Sequence, residues 1–399
     1  MDSITYDATI VGSGPAGTTA AIYLARSGHR VCLVEKNSHP RYKVCGGGIT
    51  ARAVNFLPVP LDAALAEPCC RFELHFQGKE LDFIIQRDQP IIYMVMRSEL
   101  DALLLAEAKK LGVEVFENTA GIDVAQEQAQ VTLFTDREPI KSRFLIAADG
   151  VASIVARKGG WPVNNSLIPA IECEILVDQA TLDRFRGTAR FDLDNPCRGY
   201  SWVFPKKKHL SIGALTMARG AAGLKETFHA YLERLNIRSV GPLEPHGALI
   251  PVMPRPGLQA RGRILLVGDA AGLAEPISGE GISNALLSGM LAARALSDGA
   301  MEPERVTATY QRDLEMPVLR ELGIAKRHAR LLYEHLYMRN IMFRVRGEIL
   351  CERLIDVMMG ERSFASLGGP LRLLVEMGSE LRHENRIRPA VVSQRPESL

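Results

Sequence analysis

The segment Tyr6-Asp7-Ala8-Thr9-Ile10-Val11-Gly12-Ser13-Gly14-Pro15-Ala16-Gly17 constrains this chain most: an apolar strand runs directly into a glycine loop, and helical sequence follows. Eighteen residues past Gly17, a second apolar run, Val31-Cys32-Leu33-Val34, ends in Glu35. Together they predict a βαβ unit that binds a dinucleotide. Gly12 permits the tight turn, Gly14 lets a pyrophosphate approach the backbone, and Gly17 lets helix and strand pack closely. The N–H groups of the helix start, where Pro15 and Ala16 stand, face the phosphates, and the helix dipole favours negative charge there. Glu35 supplies the acidic ribose ligand, with Lys36 beside it.

The kind of dinucleotide is decided further along. Arg263-Ile264-Leu265-Leu266-Val267-Gly268-Asp269-Ala270-Ala271-Gly272 reads as a buried strand delivering Gly268-Asp269 into a loop and a new helix. An apolar run ending in an aspartate beside glycines suits a carboxylate that accepts hydrogen bonds from ribityl hydroxyls. Ala147-Ala148-Asp149-Gly150 ends another apolar strand in the same way. Two such strand ends behind an N-terminal Gly-x-Gly-x-x-Gly resemble the FAD-dependent oxidoreductases of the aromatic-hydroxylase structural group. The resemblance implies an α/β fold holding FAD rather than NAD. It also implies Asp269 near the flavin ribityl chain, Glu35 on the adenosine ribose and Arg97 near the pyrophosphate. No second Gly-x-Gly-x-x-Gly follows a strand, which argues against a separate nicotinamide domain.

Composition narrows the class. At 399 residues the chain can form one large or two intertwined domains with a substantial core. A hydrophobic content of 47% and a charged content of 24% are ordinary for a globular enzyme, and a net charge of +2 gives nucleic-acid binding no support. Seven cysteines (Cys32, Cys45, Cys69, Cys70, Cys173, Cys197, Cys351) make neither a disulfide framework nor a paired metal pattern; adjacent Cys69 and Cys70 read as packing. Nine histidines lack ligand spacing, His328 and His335 reading as a solvated helix face, so no metal is expected. The first strand begins too near Met1 for a cleaved leader, and with the cysteine pattern this points to a reducing cytoplasm. No apolar run reaches the about 20 residues that span a bilayer.

The expected flavin domain is discontinuous, drawn from residues 1–70, 96–160 and 255–315. Residues 71–95 and 161–254 alternate, as in Phe72-Glu73-Leu74-His75-Phe76, and predict an inserted antiparallel β-sheet domain over the isoalloxazine. Residues 316–399 are read as a helical region with a frayed end. There Lys326, Arg327, Arg330, Arg339, Arg344 and Arg346 interleave with Leu331, Leu332, Leu336, Ile341, Met342 and Phe343. That pattern fits a solvated amphipathic helix or a peripheral dock on an anionic membrane.

Three segments belong above the flavin. Pro40-Arg41-Tyr42-Lys43-Val44-Cys45-Gly46-Gly47-Gly48-Ile49 carries three consecutive glycines, costly unless the chain passes close to a flat ligand. Arg41 and Lys43 read as cofactor-phosphate or surface charges. Glu275-Pro276-Ile277-Ser278-Gly279-Glu280-Gly281-Ile282 leads into a helix whose first N–H groups can stabilise charge on the flavin pyrimidine edge. In Gly199-Tyr200-Ser201-Trp202-Val203-Phe204-Pro205, alternation puts Tyr200, Trp202 and Phe204 on one strand face, an aromatic wall for an apolar substrate or part of the sheet core. The Cys-Gly-Gly-Gly loop, the aromatic strand and Pro-x-x-Gly-Glu-Gly-Ile together resemble the geranylgeranyl reductase family of flavoproteins. Asp356-Val357-Met358-Met359-Gly360-Glu361-Arg362-Ser363-Phe364 is similar to that family's ending. Cys-Gly-Gly-Gly-Ile is the generic form and departs from the chlorophyll-pathway branch.

The resemblance implies hydrogenation of isolated double bonds in prenyl chains of lipids, quinones or diphosphates. Hydride alone would leave an unstabilised carbanion on such an alkene. Protonation of the less substituted carbon is therefore expected before or together with hydride transfer from reduced flavin. The protein must supply a dry channel, placement and a proton source. Cys45, followed by Gly46 and Gly47, is either a small packing residue, the usual fate of a free cysteine, or the acid candidate, with ordered water as the rival acid. NADPH or ferredoxin is the expected electron donor. Two other classes stay open: a flavin monooxygenase or halogenase, and a non-catalytic prenyl-lipid-binding flavoprotein. Halogenases of this group carry a Trp-x-Trp-x-Ile-Pro strand, from which Tyr200-Ser201-Trp202-Val203-Phe204-Pro205 departs.

Overall fold

A computed structural model describes residues 6–194, 198–217, 220 and 222–367. Residues 368–399 of the expected helical region, Cys197 and the first five residues lie outside the described ones.

Four fully or nearly fully buried apolar runs build the first sheet. Its strands stand in the order Ala260–Arg261, Ile264–Leu266, Ile140–Ala147, Tyr6–Val11, Val31–Val34, Glu114–Phe116, and all pair in parallel after the first. Two antiparallel strands, Val131–Thr135 and Gly121–Gln126, branch from Ile140–Ala147. Helices Pro15–Arg26, Arg97–Lys110 and Ile282–Asp298 cover the sheet, with Ala20, Leu104 and Leu286 wholly buried against it. Burial on both faces explains why these strands read as continuous apolar runs rather than alternating ones. The strand ends at Val11, Val34, Ala147 and Leu266 share one edge, where glycine loops and helix starts collect.

The second sheet has seven strands in the order His246–Pro251, Leu167–Leu176, His209–Thr216, Gly199–Pro205, Thr188–Leu193, Arg71–Phe76, Leu81–Gln86. It is mixed rather than purely antiparallel, because Thr188–Leu193 runs parallel to Arg71–Phe76. The pairing joins segments more than a hundred residues apart, so no local turn signal announces it. One face carries Phe72, Leu74, Phe76, Tyr200, Trp202 and Phe204. The other packs Cys173, Ile175, Val203 and Ile212 beneath helix Leu224–Arg234. Within 71–95, Ile92–Val95 leaves this sheet and pairs with Gly48–Thr50 and Leu65–Cys69 in a three-stranded sheet.

Helices Glu321–Tyr333 and Leu336–Met359 close over the aromatic face. The second kinks at Arg346, whose φ/ψ of −142°/30° is not helical. Phe343 wedges between Phe76 and Phe83, with ring centroids 4.7 and 5.7 Å away. Arg339, read from sequence as a surface charge, is 2% exposed and bonds Asp194, Asn340 and the Leu332 carbonyl. His328 is half-buried rather than solvated, its Nδ1 standing 3.1 Å from the Ile324 carbonyl oxygen.

Candidate active site

At the shared edge, Gly12 has φ +101°, and a Cβ there would stand 2.3 Å from the Ala148 carbonyl oxygen. A Cβ on Gly17 would meet the Gly12 oxygen at 1.9 Å, so turn and helix interlock as the fingerprint requires. Gly14 has open space around it and precedes the helix with no side-chain cap, leaving the N–H groups of Ala16 and Gly17, past Pro15, for an anion. Glu35, 4% exposed, accepts from the Ser13 N–H at 2.9 Å, the Ser13 hydroxyl and the Asn37 N–H at 3.1 Å. Burial pushes its carboxyl up, but these bonds and Arg41 outweigh it, and the pKa lies below the usual carboxylate value. Lys36 is exposed. Asp149 accepts from the Val155 N–H at 3.1 Å, while its buried Oδ1 has no partner among the described residues; burial raises its pKa. Gly150 follows in open space.

A chain of charges runs along this edge. Arg97, at the start of its helix, bonds fully buried Asp101 twice at 2.9 Å. Arg41 comes within 3.3 Å of Asp101 and 3.6 Å of Glu35, and its buried Nε has no partner among the described residues. Burial works against the Arg97 charge, yet Asp101 and then Cys45 raise its pKa above the ordinary value. Asp269 lies across from them: desolvation pushes its carboxyl up, against Lys43 and Arg97. Gly268, beside it, donates its N–H to Ser288 at 3.0 Å.

The Cys45 loop lies on the aromatic strand. Cβ atoms built on Gly46 would stand 2.9 Å from Trp202 Nε1 and 3.0 Å from the Phe204 ring; Gly48 also faces Phe204. Gly47 has φ +66° and crowds the Val95 carbonyl, and its N–H donates to Cys45 Sγ at 3.4 Å. Tyr200, Trp202 and Phe204 are 6, 6 and 8% exposed, so wall and core are the same residues. Tyr200 donates to the Ser278 carbonyl, tying the strand to the loop that carries Gly279, Glu280 and Gly281. Ile282 starts the following helix, in whose first turn the Ser283 N–H donates to Glu280 Oε1 at 2.7 Å, and a Cβ on Gly281 would face Asp269 Oδ1 at 3.4 Å.

Three residues here escaped sequence reading. Lys206, 2% exposed, donates to the Gly46 carbonyl at 2.7 Å and the Val95 carbonyl at 2.8 Å; burial lowers its pKa. It opens a Lys-Lys-Lys run that reads as an exposed turn. Glu172 and Glu275 are buried carboxyls, each pushed up to about 7 chiefly by burial. Glu275 is locked by the N–H groups of Ile277 and Ser278 and by the Ser278 hydroxyl. An apolar cavity opens beside it, lined by Phe72, Leu74, Phe191, Tyr200 and Phe343 and reaching Thr50 and Glu280 on the glycine-loop side.

Orphaned Asp149 Oδ1 and Arg41 Nε, the open backbone at Gly14 and the uncapped start of helix Pro15–Arg26 fit FAD. Glu35, Arg41, Arg97 and Asp269 would hold it, with Gly46 and Gly47 and the 279–282 loop beside its ring. Fold and site define a FAD-binding oxidoreductase of the aromatic-hydroxylase type. Residues 5–193 match the FAD binding domain family. Geranylgeranyl diphosphate reductase of Rhodobacter capsulatus is 31% identical over 303 residues, covering 73% of this chain and 74% of its own. Menaquinone reductase of Mycobacterium tuberculosis is 30% identical over 310 residues, with 73% and 76% covered. Among solved structures, a geranylgeranyl bacteriochlorophyll reductase-like protein from Thermoplasma acidophilum superposes with a TM-score of 0.72 at 22% identity, covering 96% of this chain and 98% of its own. The flavin-dependent brominase Bmp2 gives 0.71 at 20% identity over 96% and 100%, a likeness of fold alone. The chain belongs to the geranylgeranyl reductase family of flavoproteins.

Proposed function

We propose that the protein hydrogenates isolated C=C bonds of a prenyl chain. The observation that carries this is the apolar cavity. It starts at Glu275 and Tyr200 on the flavin side and continues past Ile277, Leu332 and Phe343 into a second apolar space among the C-terminal helices. An extended hydrocarbon fills such a space, whereas a compact aromatic substrate needs only its inner end. The two relatives' reductase names agree with this reading.

Bound FAD, once reduced by NAD(P)H or ferredoxin, supplies a hydride. The chain's own residues do the rest. The aromatic wall excludes water and orients the alkene, and orientation alone is worth up to about 7–11 kcal/mol in well-aligned systems. Cys45 gives the proton, and the Arg97 guanidinium stabilises the sulfur charge left behind. Tyr337, Ile341 and Val345, spaced by four ahead of the Arg346 kink, are 82, 44 and 37% exposed, beside exposed Arg344. The opposite face of that helix lines the cavity through Met342, Phe343 and Leu354. This supports peripheral docking on an anionic lipid surface from which the chain enters. Among the described residues no helix is long and apolar enough to cross a membrane.

The test offers geranylgeranyl diphosphate, a prenylated glycerolipid and a menaquinone separately to the reduced enzyme and weighs the products. A gain of one hydrogen pair per bond names the substrate class; no gain with any of the three contradicts prenyl reduction.

A further inference from the structure

A polar cluster beneath the Cys45 loop has no part in the chemistry above. Glu172, 1% exposed, lies in one cross-strand row with Gly213 and Trp202. Its Oε2 accepts the Tyr42 hydroxyl at 2.7 Å and its Oε1 accepts the Ser211 hydroxyl at 3.0 Å. Tyr42 is 48% exposed and packs against the His246 ring, tilted 50° with centroids 4.9 Å apart, so one hydrogen bond joins a water-facing residue to a buried carboxyl. Tyr42 and Cys45 stand three residues apart on the same loop. On the inner side, the buried Lys206 ammonium is within electrostatic reach of Glu172, Glu174 and Cys45, and Glu174 pairs with His209 at 2.9 Å. Burial and then Glu174 push the Glu172 carboxyl up to about 7, against Tyr42, Ser211 and Lys206. A carboxyl so placed is partly protonated at neutral pH and can both take and release a proton.

We propose that Tyr42 and Glu172 form a proton inlet that restores Cys45 between turnovers. The inlet rests on the reading of Cys45 as the acid of a prenyl reductase. After Cys45 protonates the alkene, its thiolate takes a proton that the Glu172 carboxylic acid releases through intervening water. An S–H bond forms and an O–H bond breaks. The Glu172 carboxylate is held by Tyr42, Ser211 and the Lys206 charge. The Tyr42 hydroxyl then passes its proton to Glu172 while taking one from solvent. No electrons move in these steps, so no oxidant or reductant is needed.

Glu172→Gln keeps size and one acceptor but cannot relay. In the pre-reduced FAD-loaded variant, the first turnover is expected at the wild-type rate, because Cys45 already carries its proton. Later turnovers are expected about 100-fold slower. In the wild type, later turnovers slow as pH rises past about 7, and the variant loses that dependence. Equal slowing of first and later turnovers, or wild-type steady state, overturns the inlet. A second readout needs no substrate: infrared detection of S–H to S–D exchange in the FAD-loaded protein, with Cys45→Ser identifying the band. Exchange is expected about 100-fold slower in Glu172→Gln and slower in Tyr42→Phe. Wild-type exchange in both variants, or no Cys45 S–H band, overturns the inlet. Slowed exchange without turnover of any prenyl substrate sustains the inlet and removes the prenyl-reductase reading alone.

Discussion

Arg97 grips buried Asp101 with two hydrogen bonds of 2.9 Å, and its charge is within electrostatic reach of the Cys45 sulfur. Asp101 thereby fixes the guanidinium within reach of that thiol before any substrate arrives. Helix and loop become one device, built from residues more than fifty positions apart.

Cys45→Ser retains the size of the side chain but replaces the thiol with a far weaker acid. FAD content, read by visible absorbance, is expected unchanged, while saturation of the prenyl chain slows about 100-fold. Unchanged turnover would remove Cys45 from the chemistry.

Asp101→Asn leaves Arg97 and Arg41, whose side chains are 10 and 13% exposed, without their shared counter-charge. Breaking a buried pair costs about 3–5 kcal/mol, so thermal unfolding should move well downward and FAD should bind more weakly. An unmoved Tm would contradict the role given to Asp101.

Glu275 sets a pH dependence with a definite sign. Its folded pKa of about 7 lies above the ordinary value, so the folded state binds the proton more tightly than the unfolded chain. Its contribution is full below about pH 4 and is lost as pH rises through about 7, a change of about 3 kcal/mol. His39, lowered chiefly by burial, acts with opposite sign in part of this window. The comparison with Glu275→Gln is therefore decisive: the variant's Tm should fall less than wild type between about pH 5 and 8. Parallel curves would contradict the buried, protonated Glu275.

Tyr337→Glu combined with Ile341→Glu places charge in the exposed apolar stripe. Flotation with anionic vesicles is expected to show binding weakened at least about tenfold, with turnover of a short, water-soluble prenyl substrate unchanged. Full vesicle binding by the variant would rule the stripe out as the docking face.

Much of the FAD-binding half was legible because its signals are local: Gly12 to Glu35 is one continuous βαβ unit, and Gly268-Asp269 ends its own strand. The aromatic alternation of Tyr200, Trp202 and Phe204 was equally local, and so was the Cys-Gly-Gly-Gly loop laid against it. Lys206 was not legible, since only the first of three consecutive lysines turns inward, to carbonyls of Gly46 and Val95. Glu172 sits in an alternating strand whose polar positions ordinarily face water; its partners come from residue 42 and residue 211. Arg339 looked like a helix-surface charge because Asp194, its partner, lies across a fold closure no local pattern shows.

The central claim is tested most directly by anaerobic single turnover. The FAD-loaded protein is photoreduced, mixed with the prenyl substrate in the absence of oxygen, and followed by flavin absorbance with mass analysis of the lipid. Reoxidation of the flavin matched by one saturated bond per flavin is expected. A flavin that stays reduced with every prenyl substrate and reoxidises only when oxygen enters would contradict prenyl reduction and establish oxygen chemistry in its place.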